Sequence, residues 1–398
     1  MRHWRKNLAL VVAVASLGYV LAIVSLAQGW PPASWVLFVY RHAYHRDWDQ
    51  VDVDRRHKEK IRVGGQTEHD AMTDPGRVIS VASLQDARAL RERLVRSIWL
   101  QGKPPSGPPD EIIENYKDDP DLNRFIALRK VDKLVSHQEL ELDVTSYLMW
   151  PEQPNGRVFI WHQGTSGFFT TNASAPMIQA LLEQGFIVAA ISTVGRGTNP
   201  QPIVVTDHGP RRIVSPQDFY LLKSKGPILN YFYDPVIEIL NLIEQRGYGD
   251  GRCVIMGGVS GGAEVTLGVA ALDPRICLSF SLSGTYPPFL EGKDVFMDPR
   301  ETELELVTNL LNLYVLAGLG PERAHYQIAN RYDEYFFLNG PGVLQYRDQV
   351  HAAIALLGAG GQFVGVLDEV ATTHEISPWA LDLIVNTSLA FVRSGPRH

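Results

Sequence analysis

The sequence predicts a doubly wound α/β fold, in which helices cover both faces of a mostly parallel sheet. From about residue 130 onward, short apolar runs alternate with helical stretches, and a crossover between parallel strands needs about a dozen residues or more. The runs are apolar throughout rather than alternating with polar residues, which is typical of strands that are buried on both faces. The chain has 398 residues, enough for one large core with appendages.

Each predicted element follows from a local pattern. Residues 131–150 are predicted to form two antiparallel strands, so that a hairpin begins the sheet. Residues 81–100 are predicted to form a helix, because apolar side chains from Leu84 to Ile98 recur there at intervals of three and four. Further buried strands are predicted over 158–161, 186–192, 252–256, 276–282, 324–329 and 363–367, and further helices over 176–184, 235–246, 263–272, 304–319, 346–357 and 378–392.

The composition excludes several classes of function. The formal net charge is −7 and no block of lysine or arginine occurs in the body of the chain, so nucleic acid is not expected as a partner. Neither a C-x-x-C nor an H-E-x-x-H spacing occurs, so no metal site and no cofactor is expected. The two cysteines, Cys253 and Cys277, are expected to be free core thiols. A disulfide stays open as the alternative, because the chain is expected to be exported.

The N-terminus carries the pattern of a membrane-directed segment. Arg2, Arg5 and Lys6 precede an apolar run from Leu8 to Ala27. This run of about 20 residues, at ~1.5 Å per residue, matches a bilayer core of ~30 Å, and the positive flank favours the cytoplasmic side. We expect either an uncleaved signal anchor with the main domain outside the cytoplasm, or a signal peptide cleaved near Ala27 that leaves a secreted or periplasmic protein.

The domain organisation follows from these segments. Residues 1–28 are assigned to the signal anchor or signal peptide, and residues 29–129 to an N-terminal extension that is partly helical. Residues 130–394 are assigned to the α/β domain. Within it, residues 284–321 are too long for a plain loop between two strands and are expected to form a cap insertion, with 304–319 as its helix.

The strongest motif is Gly258-Val259-Ser260-Gly261-Gly262, a G-x-S-x-G between a predicted strand and a predicted helix. A nucleophilic serine in such a motif lies on a sharp turn, and the glycines on either side let strand and helix approach each other. The turn exposes the hydroxyl above the sheet and points the next backbone N–H at the same space. The motif therefore predicts Ser260 as a catalytic nucleophile and the Gly261 N–H as one donor of an oxyanion hole.

The second motif is the polar loop 162–167, which follows the predicted strand 158–161. In this kind of sheet the loop after that strand supplies the other half of the oxyanion hole, and small residues let a backbone N–H come within ~3 Å of the developing oxyanion. We expect the Thr165 N–H to be that donor, with Gln163 as the alternative.

The base and the acid are expected on the loops after the last two predicted strands. His374 precedes the final helix, at the place from which a base reaches the nucleophile in this topology. Asp333 follows the earlier of the two strands and is the expected acid, with the role of holding the His374 tautomer. Glu334 and Asp368 stay open as alternatives to Asp333.

These motifs, in this order, resemble the α/β-hydrolase superfamily and are nearest to its dienelactone-hydrolase and acetyl-xylan-esterase-like branch. The resemblance implies a catalytic triad of Ser260, Asp333 and His374. Relatives of that branch often carry histidine or glycine where this chain has Thr165. The stretches that carry the resemblance are Gly258–Gly262, Ala271–Ile276, Tyr332–Asp333 and His374–Ser377, within about residues 130–392.

The motifs and the resemblance together lead to an expected function, the hydrolysis of a small-molecule carboxylic ester through an acyl-serine intermediate. A peptidase or an acyltransferase could use the same three residues, because one fold and one triad serve many reactions. A non-catalytic, membrane-tethered binding protein on a hydrolase scaffold is a third hypothesis. The presence of Ser260, His374 and a candidate acid argues against it.

Overall fold

A computed structural model of the chain describes residues 75–126, 128–165, 168–170, 174–206, 209–214, 216–249, 253–287, 299–333 and 340–394. The chain divides into two units, Met1–Asp70 and Ala71–His398, and every described residue belongs to the second. The signal anchor or signal peptide predicted over 1–28 therefore lies outside the described residues. Within the described ranges, no helix has the length and apolar character needed to span a bilayer.

One mixed sheet organises the described residues. The strands, in chain order, are β1 Glu111–Ile113, β2 Leu128–Ser136, β3 Val144–Pro151, β4 Val158–His162, β5 Ile187–Ile191, β6 Ile203–Thr206, β7 Gly209–Arg212, β8 Val254–Val259, β9 Ile276–Leu282, β10 Ala324–Asn330 and β11 Gln362–Asp368. All except the β6–β7 hairpin form one sheet in the order β1-β2-β3-β5-β4-β8-β9-β10-β11. Neighbours from β1 to β5 pair antiparallel, and neighbours from β5 to β11 pair parallel. The predicted parallel sheet with an antiparallel start is confirmed.

Helices cover both faces of this sheet. In chain order they are α1 Pro75–Val78, α2 Leu84–Ile98, α3 Ser174–Glu183, α4 Asn230–Arg246, α5 Gly261–Leu272, α6 Pro299–Glu305, α7 Leu310–Gly318, α8 Val343–Leu356 and α9 Pro378–Ser394. Buried side chains of α2, α4, α5, α7 and α8 share one apolar core, and those of α3 and α9 belong to a second core. The two cores lie on opposite faces of the sheet, as a doubly wound architecture requires.

The helix α2 attaches the described part of the predicted extension to the sheet-bearing body. Its start is fixed by Ser83, whose side chain accepts a hydrogen bond from the Asp86 N–H at 3.1 Å. Further along, the Arg91 guanidinium donates to the carbonyls of Ala271 and Leu316 at 2.9 and 2.8 Å. These carbonyls lie near the C-terminal ends of α5 and α7, where a positive charge is favourable. The described extension therefore packs against the helix that follows the serine motif.

The structure corrects part of the predicted cap. The helix predicted over 304–319 is two helices, α6 and α7, and every residue of α7 is buried. α7 packs against α5 and contacts β10 and β11, so it belongs to a layer beside the sheet rather than to a cap. The physical reason is that β9 and β10 are parallel, and a parallel connection needs a crossover helix of its own. Residues 288–298 of the predicted cap lie outside the described residues.

The two cysteines form a disulfide, which corrects the expectation of free thiols. Cys253 and Cys277 are bonded with their Cα atoms 5.2 Å apart. The apolar runs that carry them are neighbouring parallel strands, with Val254 opposite Ile276 in the register. Residues 24 positions apart in the chain are thus brought side by side by the sheet, which a pattern read along the sequence does not reveal.

Candidate active site

The predicted site residues gather at one edge of the sheet, where its parallel strands end. Thr165 follows β4, Ser260 follows β8, Asp333 follows β10 and His374 follows β11. Between β4 and β8 the chain changes direction across the sheet, since β5 lies on one side of this pair and β9 on the other. In open α/β sheets, ligands bind in the crevice at such a switch point.

Ser260 lies on a strained turn between β8 and α5. Its backbone has φ 56° and ψ −126°, a conformation that costs free energy for a residue other than glycine. The flanking glycines make the turn possible. A Cβ at Gly258 would lie 2.3 Å from the Gly262 carbonyl oxygen, and one at Gly262 would lie 2.2 Å from the His162 carbonyl oxygen. The G-x-S-x-G spacing is thus a steric requirement of this turn.

The loop after β4 comes directly against the serine. A Cβ at Gly164 would lie 3.0 Å from the Ser260 Cβ and 3.6 Å from its Oγ, so only a glycine lets the loop approach this closely. The Gln163 N–H, the alternative donor, already donates to the Ile191 carbonyl at 2.8 Å. It therefore takes part in the hydrogen bonding of the sheet. Thr165, the next residue after Gly164, keeps its place as the expected source of the N–H.

His374 and Asp333 form a hydrogen-bonded pair. The His374 Nδ1 lies 2.8 Å from the Asp333 Oδ2, the Asp333 side chain is fully buried, and that of His374 is 15% exposed. A carboxylate only accepts, so Nδ1 carries the proton and Nε2 is the ring nitrogen that can take one. This is the geometry that a general base and its orienting acid require.

Of the two alternative acids, the structure describes only Asp368. Asp368 is fully buried, and one of its oxygens accepts from the N–H groups of Val370 and Ala371 at 2.8 and 3.1 Å. Its other oxygen accepts from the Ser377 hydroxyl at 2.5 Å. These bonds hold the backbone of the loop that carries His374. Glu334 lies outside the described residues.

A buried ion pair beside the serine turn was not anticipated from the sequence. The Arg300 Nε lies 2.7 Å from the Glu264 Oε2, and both side chains are almost inaccessible to solvent. The same guanidinium donates to the Thr165 hydroxyl at 2.9 Å and lies over the Phe232 ring at 5.3 Å. A Cβ at Gly261 would lie 2.1 Å from the Arg300 Nη2. Arg300 of this ion pair therefore lies against both Thr165 and Gly261, the residues expected to supply the two N–H groups of the oxyanion hole.

One sequence signal pointed toward this pair. Glu264 is the only acidic residue of α5, whose other residues are small or apolar apart from Thr266, and a buried carboxylate needs a partner. Arg300 lies in a strongly polar stretch, Pro299–Glu305, where nothing distinguishes it from a solvent-exposed arginine. Its identity as the partner depends on packing between distant segments.

His162, at the end of β4, is a buried histidine near the site. Burial lowers its pKa to about 4, so the ring is neutral at neutral pH. Its Nδ1–H donates to the Gln163 carbonyl at 2.8 Å, which stabilises the turn at the end of β4. Within the described ranges, no group of three or more histidine, cysteine or acidic side chains is placed to hold a metal ion.

Comparisons with solved structures agree with this architecture. The chain is similar to acetyl xylan esterase 1 from Thermoanaerobacterium sp., with 13% sequence identity, a TM-score of 0.51, and coverage of 79% of this chain and 96% of that one. It is also similar to the methylesterase BT1017, with 13% identity, a TM-score of 0.53, and coverage of 79% and 67%. No family model and no curated protein sequence matches the chain. By its sheet order and these likenesses, the chain has the fold of the α/β-hydrolase superfamily.

Proposed function

We propose that the protein is a serine hydrolase that cleaves carboxylic esters through an acyl-serine intermediate on Ser260. The observation that carries the proposal is the hydrogen bond between His374 and the fully buried Asp333, at the same sheet edge as the strained serine turn. A nucleophile, a base and an acid in this chain order and topology are the parts that acyl transfer requires.

In the proposed reaction, the Ser260 Oγ attacks the ester carbonyl carbon while the His374 Nε2 takes the hydroxyl proton. The carbonyl oxygen becomes an oxyanion, which accepts hydrogen bonds from the N–H groups of Thr165 and Gly261. The C–O bond to the alcohol then breaks, and His374 returns the proton to the leaving oxygen. Water, deprotonated by His374, then attacks the acyl carbon. The bond from this carbon to the Ser260 Oγ breaks, and His374 returns the proton to the Oγ as the carboxylic acid leaves. Asp333 holds the Nδ1–H tautomer and stabilises the imidazolium.

The choice of an ester rests on analogy to the proteins of similar fold. Both solved structures named above are esterases by name, one of acetyl xylan and one of methyl esters. At 13% identity these likenesses concern the fold, and a shared fold supports several acyl-transfer reactions. Ester hydrolysis is the reaction that the fold, the candidate triad and both neighbours have in common.

The test compares the wild-type protein with Ser260→Ala on an activated ester and on a fluorophosphonate probe. We expect the wild-type serine to be labelled covalently and the variant to lose about a thousandfold or more of its activity, because only binding and the oxyanion hole remain. A folded Ser260→Ala protein with wild-type activity would contradict the mechanism. A wild-type protein that neither labels nor hydrolyses would favour the non-catalytic hypothesis, and cleavage of peptides alone would favour a peptidase.

We also propose that the protein is exported, with its catalytic part outside the cytoplasm. The support is the positively charged start followed by the apolar run Leu8–Ala27. The disulfide between Cys253 and Cys277 adds to it, because disulfides form and persist mainly in oxidising compartments. Anchoring and cleavage near Ala27 are both compatible with this proposal.

A further inference from the structure

Asn330 occupies the last position of β10, three residues before Asp333. Its side chain is fully buried, and its Nδ2 donates two hydrogen bonds, to the Thr373 carbonyl at 3.0 Å and to the Glu375 carbonyl at 2.8 Å. These are the residues on either side of His374. One amide group therefore holds the backbone on both sides of the candidate base.

The orientation of this amide is fixed by its surroundings. Both protons of the NH2 group are used by the two carbonyls, and an amide has no further protons to donate. Turning the group over would place the Asn330 Oδ1 against two carbonyl oxygens, with like partial charges in contact. The observed orientation leaves the Asn330 Oδ1 without a hydrogen-bond partner among the described residues, but it avoids this repulsion and gives both loop carbonyls a donor.

The base loop is held from two neighbouring strands. Asn330 and Asp368 are partners in the parallel register at the ends of β10 and β11, and the Arg331 N–H donates to the Asp368 carbonyl at 2.9 Å. Asp368 binds the start of the loop through the N–H groups of Val370 and Ala371. Asp368 holds the loop where it leaves the sheet, and Asn330 holds the part that carries His374.

We propose that Asn330 is a positioning residue for the base, which sets the place of the His374 imidazole between Asp333 and Ser260. The inference rests on the proposed function, in which His374 accepts the Ser260 proton. The two hydrogen bonds of the Asn330 amide go to the backbone of the loop on either side of His374. The effect of Asn330 on catalysis is therefore geometric, and a displacement of ~1 Å in a reacting group can cost about a hundredfold in rate.

The test uses two variants that keep the number and branching of the side-chain heavy atoms. In Asn330→Leu both donors are lost, and we expect kcat to fall about a hundredfold with KM within about twofold of wild type. In the variant Asn330→Asp, the new carboxyl group is buried and faces two carbonyl oxygens. Both conditions favour its neutral form, which can donate one hydrogen bond. We expect a smaller loss of kcat there, roughly tenfold. The rate of fluorophosphonate labelling should fall in parallel with kcat, because labelling also needs the base.

The matched control is Asn312→Leu, which removes another buried amide, in α7. Asn312 accepts from the Ser80 N–H at 2.9 Å and joins α7 to the segment between α1 and α2. We expect this variant to lower the melting temperature while leaving kcat unchanged. The contrast separates a loss of stability from a loss of positioning.

The outcomes distinguish this inference from the proposed function. If Ser260→Ala is inactive while folded Asn330→Leu keeps the wild-type kcat, the positioning role is overturned and the function stands. If Ser260→Ala keeps its activity, the proposed function itself is wrong. If Asn330→Leu does not fold, Asn330→Asp decides, because an unchanged kcat in that folded variant overturns the positioning role and a lowered kcat at constant KM supports it.

Discussion

At the scale of single residues, two buried aspartates at this sheet edge are distinguished by their partners. Asp333 accepts a hydrogen bond from the His374 ring, whereas Asp368 accepts from two backbone N–H groups and a serine hydroxyl. Both carboxylates are fully buried, so burial alone does not tell them apart. The role of a buried carboxylate here follows from the group that donates to it.

The prediction at this scale compares Asp333→Asn with Asp368→Asn. The first change keeps the shape of the side chain, removes its charge and favours the wrong tautomer of His374. A comparable change in a serine protease costs ~10⁴ in kcat, and we expect a loss of that order. The change at Asp368 leaves one oxygen to accept from the loop N–H groups, so we expect a much smaller loss of kcat. The measurement is kcat at neutral pH for both folded variants.

The assignment fails if Asp368→Asn is the more damaging change. A large loss of kcat in both variants would mean that the two carboxylates share the role of the acid, which would contradict the separate partners described above. Circular dichroism and melting temperature serve as the controls for folding, since Asp368 also supports the loop.

The sequence predicts the candidate triad residues because chain order and strand position restrict where each can lie. Ser260 has a local steric signature, and His374 and Asp333 follow identifiable strands. Asn330 and Arg300 have no such signature, because their partners are far from them along the chain. Contacts of this kind depend on packing, so the supporting residues of the site emerge only from the structure.

At the scale of elements, the short helix α6 is attached to α5 through a buried charge pair. Arg300 from α6 and Glu264 from the first turn of α5 are joined with the nitrogen and oxygen 2.7 Å apart. A buried ion pair stabilises the folded state little more than apolar residues in the same place would. Removal of one partner, however, leaves the other charge unpaired in a low-dielectric interior. The ion pair therefore holds the short helix α6 against α5.

We predict that Glu264→Gln lowers the free energy of unfolding by about 3–5 kcal/mol, because the Arg300 charge stays buried without its carboxylate. The matched control is Glu244→Gln, which breaks an ion pair with Arg275 of similar length, 2.8 Å, in which the carboxylate is 64% exposed. We expect that change to cost less than ~1 kcal/mol. Denaturant unfolding of both variants is the measurement.

A double variant tests the physical reason. Changing Arg300→Met together with Glu264→Gln removes both charges, so it should recover part of the stability that the single change loses. Equal or greater instability of the double variant would mean that the pair does not act through an uncompensated charge. A small effect of Glu264→Gln alone, similar to that of Glu244→Gln, would contradict the prediction directly.

The elements show where periodicity predicts well and where it does not. The helix predicted over 81–100 is α2, and of the apolar positions that predicted it only Leu84, at its first turn, is exposed. The single helix predicted over 304–319 is broken before Leu310, where Asn309 caps α7 by accepting from the Asn312 N–H at 3.0 Å. A helix start inside an apolar stretch depends on a cap, and apolar periodicity does not indicate that Asn309 is one.

At the scale of the whole molecule, the described residues form the sheet-bearing body and residues 1–74 lie outside them. The mostly parallel sheet with its antiparallel start could be predicted because alternating apolar runs and helices restrict the topology strongly. The pairing of β1 with β2 and the contribution of α2 to the core could not be predicted. The sequence of a short or amphipathic segment does not show which surface it packs against.

The prediction at this scale concerns export. We expect the full chain to fractionate with membranes and its catalytic part to be digested by protease added to intact cells, since the positive flank of Leu8–Ala27 favours the cytoplasmic side. A soluble exported form that starts at Gln28 would identify cleavage rather than anchoring. A soluble cytoplasmic pool of the full-length chain would refute export.

The disulfide has a consequence for how the nucleophile is held. Cys253 precedes β8 and Cys277 lies at the start of β9, so the strand, the serine turn and α5 all lie inside one covalent ring. Closing a ring of this size lowers the chain entropy of the unfolded state. This stabilises the folded state relative to the unfolded state by about 3 kcal/mol. A single cut in the backbone inside the ring would leave both fragments tethered, and the Ser260 fragment would stay bound until a reductant opened the bond.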